Sequence, residues 1–312
     1  MRKYLTVIAA LTAMVSCGPR AAKKASVPQN RPFPRVEAPV MMENMDQRVE
    51  YIVLHFWDAF TKVDQPTDSL TIGGVKKDDV ETQMGVFATL LQQVPMPVGQ
   101  KAMQVLYNNL EAAPGMFDAM AELTRQYFFD PNSPVRNEAL YLPFVKALSA
   151  SPLVPDSSKP GYAWDARLCS LNLPGSVAAD FRFTDTSGRT RTLHSVKAEY
   201  TLLIFGNPDC TACRELVENM ASIPEIVALE ASGRLKVVDI YIDQEIDLWK
   251  ERMATYPKNW INGYDPDYII RQDLIYDVRA VPSIYLLSSD KTVLLKDAPE
   301  EQALNALVSI AQ

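Results

Sequence analysis

Two kinds of hydrophobic pattern follow one another along the chain. From Asp46, apolar residues recur at helical spacing: Val49, Ile52, Val53, Phe56, Phe60 and Val63 keep to an i, i+3, i+4, i+7 rule. Val80, Met84, Phe87, Leu91 and Val94 repeat it, and further helices are predicted near residues 99–112, 115–128 and 134–149. Ser133 and Pro134 offer the last of these a capping hydroxyl and a first-turn proline. Pro143 is expected to kink it. Residues 46–150 therefore predict an all-helical domain. Residues 151–175 hold Pro152, Pro155, Pro160, Gly161, Pro174 and Gly175, and are expected to be a linker. Beyond it the period shortens. Residues 180–183 and 190–193 flank Ser187-Gly188 as a predicted hairpin. Residues 201–205 form a short apolar run fit for a buried parallel strand, and a helix is predicted from Cys210 to about Met220. Strands over 235–243, 283–288 and 292–296, a helix over 248–256 and a final helix opened by Pro299 complete the reading. Residues 176–312 thus predict an α/β domain with a mixed sheet flanked by helices.

Composition narrows the chemistry. The chain has 312 residues, 47% of them hydrophobic and 22% charged, enough for two globular bodies. Its formal charge of −7 argues against nucleic-acid binding through phosphate contacts. Four cysteines and two histidines exclude a disulfide scaffold and a multi-histidine metal site. His55 stands beside the apolar stripe of the first helix and reads as a packing residue, as do Phe56, Trp57 and Phe60. The four cysteines carry what remains.

Arg2 and Lys3 precede an apolar run from residue 4 to residue 15. Twelve helical residues span about 18 Å, too short for a hydrocarbon core of roughly 30 Å. Residues 1–16 have the form of a secretory signal peptide. Met14-Val15-Ser16-Cys17 resembles the bacterial lipobox, which implies lipidation of Cys17 and anchoring without a membrane span. Residues 17–45 carry Pro19, Pro28, Pro32, Pro34 and Pro39 among basic side chains and are expected to form a flexible tether. The implied location is the cell envelope, lipid-anchored and facing the periplasm, where disulfides form and exchange.

The sharpest motif is Asn207-Pro208-Asp209-Cys210-Thr211-Ala212-Cys213, at the junction of the predicted buried strand and the helix after it. A cysteine at a helix N-terminus faces unsatisfied N–H groups and the positive dipole end, which favour thiolate. Cys213 lies one turn on, close enough to form a disulfide. One sulfur attacks a foreign disulfide and the other resolves the mixed intermediate. Haem attachment needs a His after the second Cys, where Arg214 stands. Structural zinc needs a second ligand pair, and none exists. Copper delivery needs a wider spacing and a distal His, whereas His194 precedes the strand. A peroxidase needs Thr where Asn207 stands. A purely structural disulfide remains as an alternative.

These features resemble the TlpA/ResA-type thioredoxin-like family over residues 169–312. Asp180-Phe181, the glycine-containing hairpin, the strand, the Cys-x-x-Cys turn and Val281-Pro282 occur in its order. The chain as a whole is similar to bacterial lipoproteins that join an uncharacterised helical domain to this module, through Phe56-Trp57-Asp58 and residues 130–134. The resemblance implies an all-α domain followed by a thioredoxin-like α/β domain, and a thiol–disulfide oxidoreductase with Cys210 as nucleophile and Cys213 as resolving thiol. It implies that Pro282 is cis and, with Val281, shapes the substrate groove. No cofactor or metal is implied. The partners implied are thiols or disulfides of exported proteins and an upstream thiol reductant.

Two departures bear on mechanism. Asp209 replaces the family's common aromatic residue before the nucleophile. A carboxylate there opposes thiolate formation, which predicts a reductase or isomerase rather than a strong oxidant. Thioredoxin's buried acid, six residues before the nucleophile, is Ile204 here. Asp209, Glu215 and Asp243 remain as candidates for the proton relay. Cys169 reads as a small buried residue, with a regulatory third thiol as the alternative. The rival function is a non-catalytic binding or assembly lipoprotein that uses the thioredoxin fold as scaffold.

Overall fold

A computed structural model describes residues 30–312; the expected signal peptide, Cys17 and most of the expected tether lie outside them. The helical domain contains α1 (Met45–His55), α2 (Asp58–Thr61), a ribbon of β1 (Thr71–Ile72) and β2 (Val75–Lys76), then α3 (Lys77–Leu91), α4 (Met96–Glu111), α5 (Phe117–Phe128), α6 (Glu138–Ala150) and α7 (Lys159–Cys169). Asn44 caps α1 by accepting from the Gln47 N–H at 3.0 Å. The single helix expected through Val63 breaks at Phe56-Trp57. Both rings turn inward there, Phe56 onto Phe87 at 5.2 Å and Trp57 onto Phe60 at 5.7 Å between centroids.

The helical domain also holds a short two-stranded ribbon, because Gly73 and Gly74 take φ of +55° and +76° and turn β1 onto β2. Other expectations are corrected in this half. Ser133-Pro134 does not open α6. The Ser133 hydroxyl donates to the Tyr127 carbonyl at 2.6 Å, and Asn137 caps the helix by accepting from the Leu140 N–H at 3.1 Å. The proline-rich stretch 151–175 is not simply a linker, since it holds α7. Pro160 sits in the first turn of α7, and Tyr162, Ala166 and Cys169 share one face, which packs into the helical core. The described end of the expected tether is also docked: Phe33 stacks on Phe60 at 5.2 Å, and Arg31 donates to the carbonyls of Gly73 and Phe60 at 2.8 and 2.7 Å.

The second half forms one seven-stranded sheet. Its strands are β3 (Arg182–Asp185), β4 (Thr190–Thr192), β5 (Tyr200–Gly206), β6 (Leu235–Tyr241), β7 (Ile261–Tyr264), β8 (Ser283–Leu287) and β9 (Val293–Leu295), in the order β4-β3-β7-β6-β5-β8-β9. β5, β6 and β7 run parallel, while β3, β4, β8 and β9 pair antiparallel. The helices are α8 (Thr211–Ser222), α9 (Pro224–Ala231), α10 (Ile246–Arg252), α11 (Ile269–Gln272) and α12 (Glu300–Ala311). Alternation along β5 splits its side chains between two cores. Leu202 and Ile204 meet α8, α9, α10 and α12, whereas Leu203 and Phe205 meet Phe181, Phe183, Tyr276 and Tyr285. The hairpin, both parallel strands, the antiparallel edge and the last helix stand where their patterns predict them.

β7 escapes the sequence reading because Asn262 and Gly263 interrupt its apolar run. Gly263 is there for space: a Cβ would lie 2.6 Å from Phe183 Cδ2 and 3.0 Å from the Thr184 carbonyl oxygen. Gly263→Ala is expected to cost roughly 1–3 kcal/mol by overpacking, read as a lower urea midpoint at unchanged slope.

Candidate dithiol site

The parallel pair β5 and β6 delivers the site at its carboxyl ends. β5 stops at Gly206, and the chain turns through Asn207-Pro208-Asp209 into α8. The turn is locally determined. The Asp209 N–H donates to Asn207 Oδ1 at 2.9 Å, and the Cys210 N–H donates to the Asn207 carbonyl at 3.0 Å. Asn207 Nδ2 donates to Asp243 at 2.8 Å, and Arg271 holds the other oxygen of that carboxylate at 2.7 Å. Arg214 donates to the Pro208 carbonyl at 3.1 Å and so clamps α8 to the turn from within its first residues.

Cys210 is the N-cap residue of α8, with extended backbone at φ −75° and ψ 128°. It is half-buried, and its thiol donates to the Val281 carbonyl at 3.5 Å. Cys213 lies one turn along and is buried, and the two thiols are unbonded. Burial pushes the Cys213 thiol up, and the neighbouring Cys210 and Asp239 push the same way, against a backbone hydrogen bond at Asn207. The Val281–Pro282 peptide is cis, and both residues are half-buried at the start of β8. The four residues Cys210, Cys213, Val281 and Pro282 are thus brought together. Cys169, by contrast, is fully buried in the helical core, where burial raises its thiol.

The proton-relay candidates lie elsewhere than under the dithiol. Asp209 is about half-exposed and pairs with Arg252 at 3.0 Å, so its charge is partly offset rather than turned wholly on Cys210. Glu215 is exposed, and Asp243 is tied to Asn207 and Arg271. The carboxyl that does lie beneath the site is Asp239 on β6, which the sequence reading missed. It is 4% exposed and pairs in register with Ile204, the position where thioredoxin carries its acid. Strand alternation puts it with Val237 and Tyr241 on the face that α8 covers. Burial pushes it up to about 7. Gly206 leaves the room, since a Cβ there would lie 2.6 Å from Asp239 Oδ1. The available signal was a lone acid at an inward position of an apolar strand.

A groove of about 500 Å³ opens beside the turn, lined by Pro208, Asp209, Arg214, Arg252 and Tyr256 among others. A larger one, about 820 Å³, lies away from the dithiol between α3, α5 and the loop after α5, with Val86, Leu90, Tyr127 and Val135 in its wall. Among the described residues no cluster of three or more His, Cys, Asp or Glu is placed to hold a metal ion.

A mixed sheet with a half-buried cysteine capping a helix, a second cysteine a turn below and a cis-proline against them defines a thioredoxin-like protein. Residues 11–166 match the model of a domain of unknown function, DUF5106. A thioredoxin-like protein from Bacteroides caccae is 33% identical over 90% of this chain and 98% of its own, with a TM-score of 0.77. The chain belongs to the thioredoxin-like proteins that carry a DUF5106 domain at the N-terminal side. The C-terminal domain of a Bacteroides fragilis protein is 43% identical over 44% of this chain and 97% of its own, at a TM-score of 0.42. No curated protein matches the chain.

Proposed function

We propose that the protein is a membrane-anchored thiol–disulfide oxidoreductase of the cell envelope, acting as reductase or isomerase on exported proteins. The carrying observation is the Cys210 thiol at a helix N-cap, half-open and against the Val281 carbonyl, with Cys213 one turn beneath it. The Cys210 thiolate attacks one sulfur of a client disulfide, forming a mixed disulfide and releasing the other client sulfur as a thiolate. Cys213 passes its proton to Asp239 and attacks Cys210 Sγ. The Cys210–Cys213 disulfide forms, and the client leaves with two electrons gained and both its sulfurs reduced. An upstream thiol reductant returns the protein to its dithiol form. The electrons travel on sulfur throughout, so the cycle calls for no cofactor. Asp209 supports the reducing direction, moderated by its pairing with Arg252. Anchoring through Cys17 rests on residues 14–17 of the sequence.

The test is reduction of insulin disulfides with a dithiol as electron source. Wild-type protein is expected to accelerate precipitation of the insulin B chain, and Cys210→Ser to fall to the uncatalysed rate. Equal rates for the two proteins refute the oxidoreductase reading. They would favour the binding-protein reading, for which the 820 Å³ groove on the helical domain is the supporting observation.

A further inference from the structure

Arg279 lies three residues before Pro282 and points away from the dithiol into the boundary between the two domains. Its guanidinium lies over the Phe129 ring, 3.9 Å from the centroid. It donates to the Phe129 carbonyl and to the Glu138 carboxylate, both in the helical domain. Asp277 Oδ2 lies 3.0 Å and Asp297 Oδ2 3.6 Å from it. Lys296 reaches Glu138 at 2.6 Å and donates to the carbonyls of Leu168 and Cys169 in α7. Arg136 donates to the carbonyls of Asp297 and Ala298 at 2.9 and 3.0 Å. Three cations and three carboxylates, drawn from both domains and largely buried, therefore neutralise one another.

The other end of the proline loop is held by the same group. Ser283, directly after Pro282, donates to Asp297 Oδ1 at 2.7 Å. The loop that meets Cys210 through the Val281 carbonyl is thus fixed at residue 279 and at residue 283 by one cluster, of which Glu138 and the Phe129 carbonyl are helical-domain parts. A planar guanidinium with several directed partners fixes orientation in a way that a point charge does not.

We infer that the helical domain positions the client-binding loop, with Phe129 and Glu138 acting through Arg279 to hold Val281 and Pro282 against Cys210. This rests on the oxidoreductase reading and deepens it: Arg279 is a positioning residue, and the helical domain is part of the substrate site. The test uses the full chain with Arg279→Lys, which keeps the charge and loses the fork, and Phe129→Leu, which removes the ring from the far domain. Backbone amide order parameters at 279–281 are expected to fall in both from rigid values of about 0.85 to below about 0.6. The KM for a protein disulfide is expected to rise about tenfold, with kcat changed less than threefold. A structural role alone would lower the melting temperature and leave KM and the local order parameters where they were. Unchanged order parameters at 279–281 in both variants overturn the inference, and so does unchanged KM in active variants. If Arg279→Lys fails to fold, Phe129→Leu decides in the same way. A wild-type protein without reductase activity overturns the oxidoreductase reading instead, and the order parameters still decide whether the loop is held from the helical domain.

Discussion

Cys213→Ser protein, mixed with a disulfide-bonded client, is expected to accumulate a covalent adduct that a reducing agent dissolves. Attack by Cys210 needs only its own thiolate, so the mixed disulfide still forms. Release needs a second sulfur on Cys210 Sγ, and a serine hydroxyl cannot supply one. Turnover is expected to fall at least about 100-fold, while the first bond formation stays fast. The adduct is expected to map to Cys210. Cys169 is fully buried, and burial raises its thiol, so it does not compete for the client. Non-reducing electrophoresis and peptide mapping read the result. An adduct that survives Cys210→Ser in the same background, or no adduct at all, sinks the assignment of nucleophile and resolving thiol.

Asp239→Asn is expected to make the protein more stable and slower. An aspartate in an unfolded chain titrates near 4, roughly, and burial pushes Asp239 up to about 7. The folded state therefore holds the proton more tightly than the unfolded one. Its stabilising contribution is fully present below about pH 4 and is lost as pH rises through 7. Above that pH the buried charge costs the folded state on the order of 4 kcal/mol. Asparagine does not titrate, so the variant is expected to melt higher than wild type at pH 8, with the gap closing toward pH 4. The same change removes the proposed acceptor of the Cys213 proton. Reductase turnover near pH 7 is expected to drop about 100-fold, with adduct formation by Cys213→Ser/Asp239→Asn protein left fast. A variant with undiminished turnover means that the proton goes elsewhere. A melting temperature that tracks wild type across pH 4–8 means that the carboxyl is not held neutral by burial.

The dithiol and its helix were legible because strand, turn and helix signals are local. A five-residue apolar run, Asn207-Pro208 and two cysteines at one-turn spacing leave little freedom. The buried Asp239, the proposed proton acceptor, was not legible. Position 204 and position 239 are distant in sequence, and only the parallel register of β5 on β6 shows that an acid absent from one strand stands on the next. β7 was missed for a related reason. Asn262 and Gly263 are unattractive strand residues alone, and pairing on both sides with β6 and β3 overrides that preference. The stretch 151–175 misled through its prolines. Pro160 starts a helix as readily as other prolines break one, and Ala166 and Cys169 become meaningful only once α6 is there to receive them. Arg279 had no signal of its own, because its partners lie some 140 to 150 residues earlier.

The cluster around Arg279 also bears on how such molecules are cut for study. A fragment beginning near residue 176 keeps both thiols, the sheet and Pro282, and would pass for a complete thioredoxin. It would lack Phe129, Arg136 and Glu138, leaving Arg279 with Asp277 and Asp297 alone and Lys296 without Glu138 and the Leu168 and Cys169 carbonyls. If the helical domain holds the proline loop as proposed, that truncation is expected to show a raised KM, and a search for clients belongs with the intact chain.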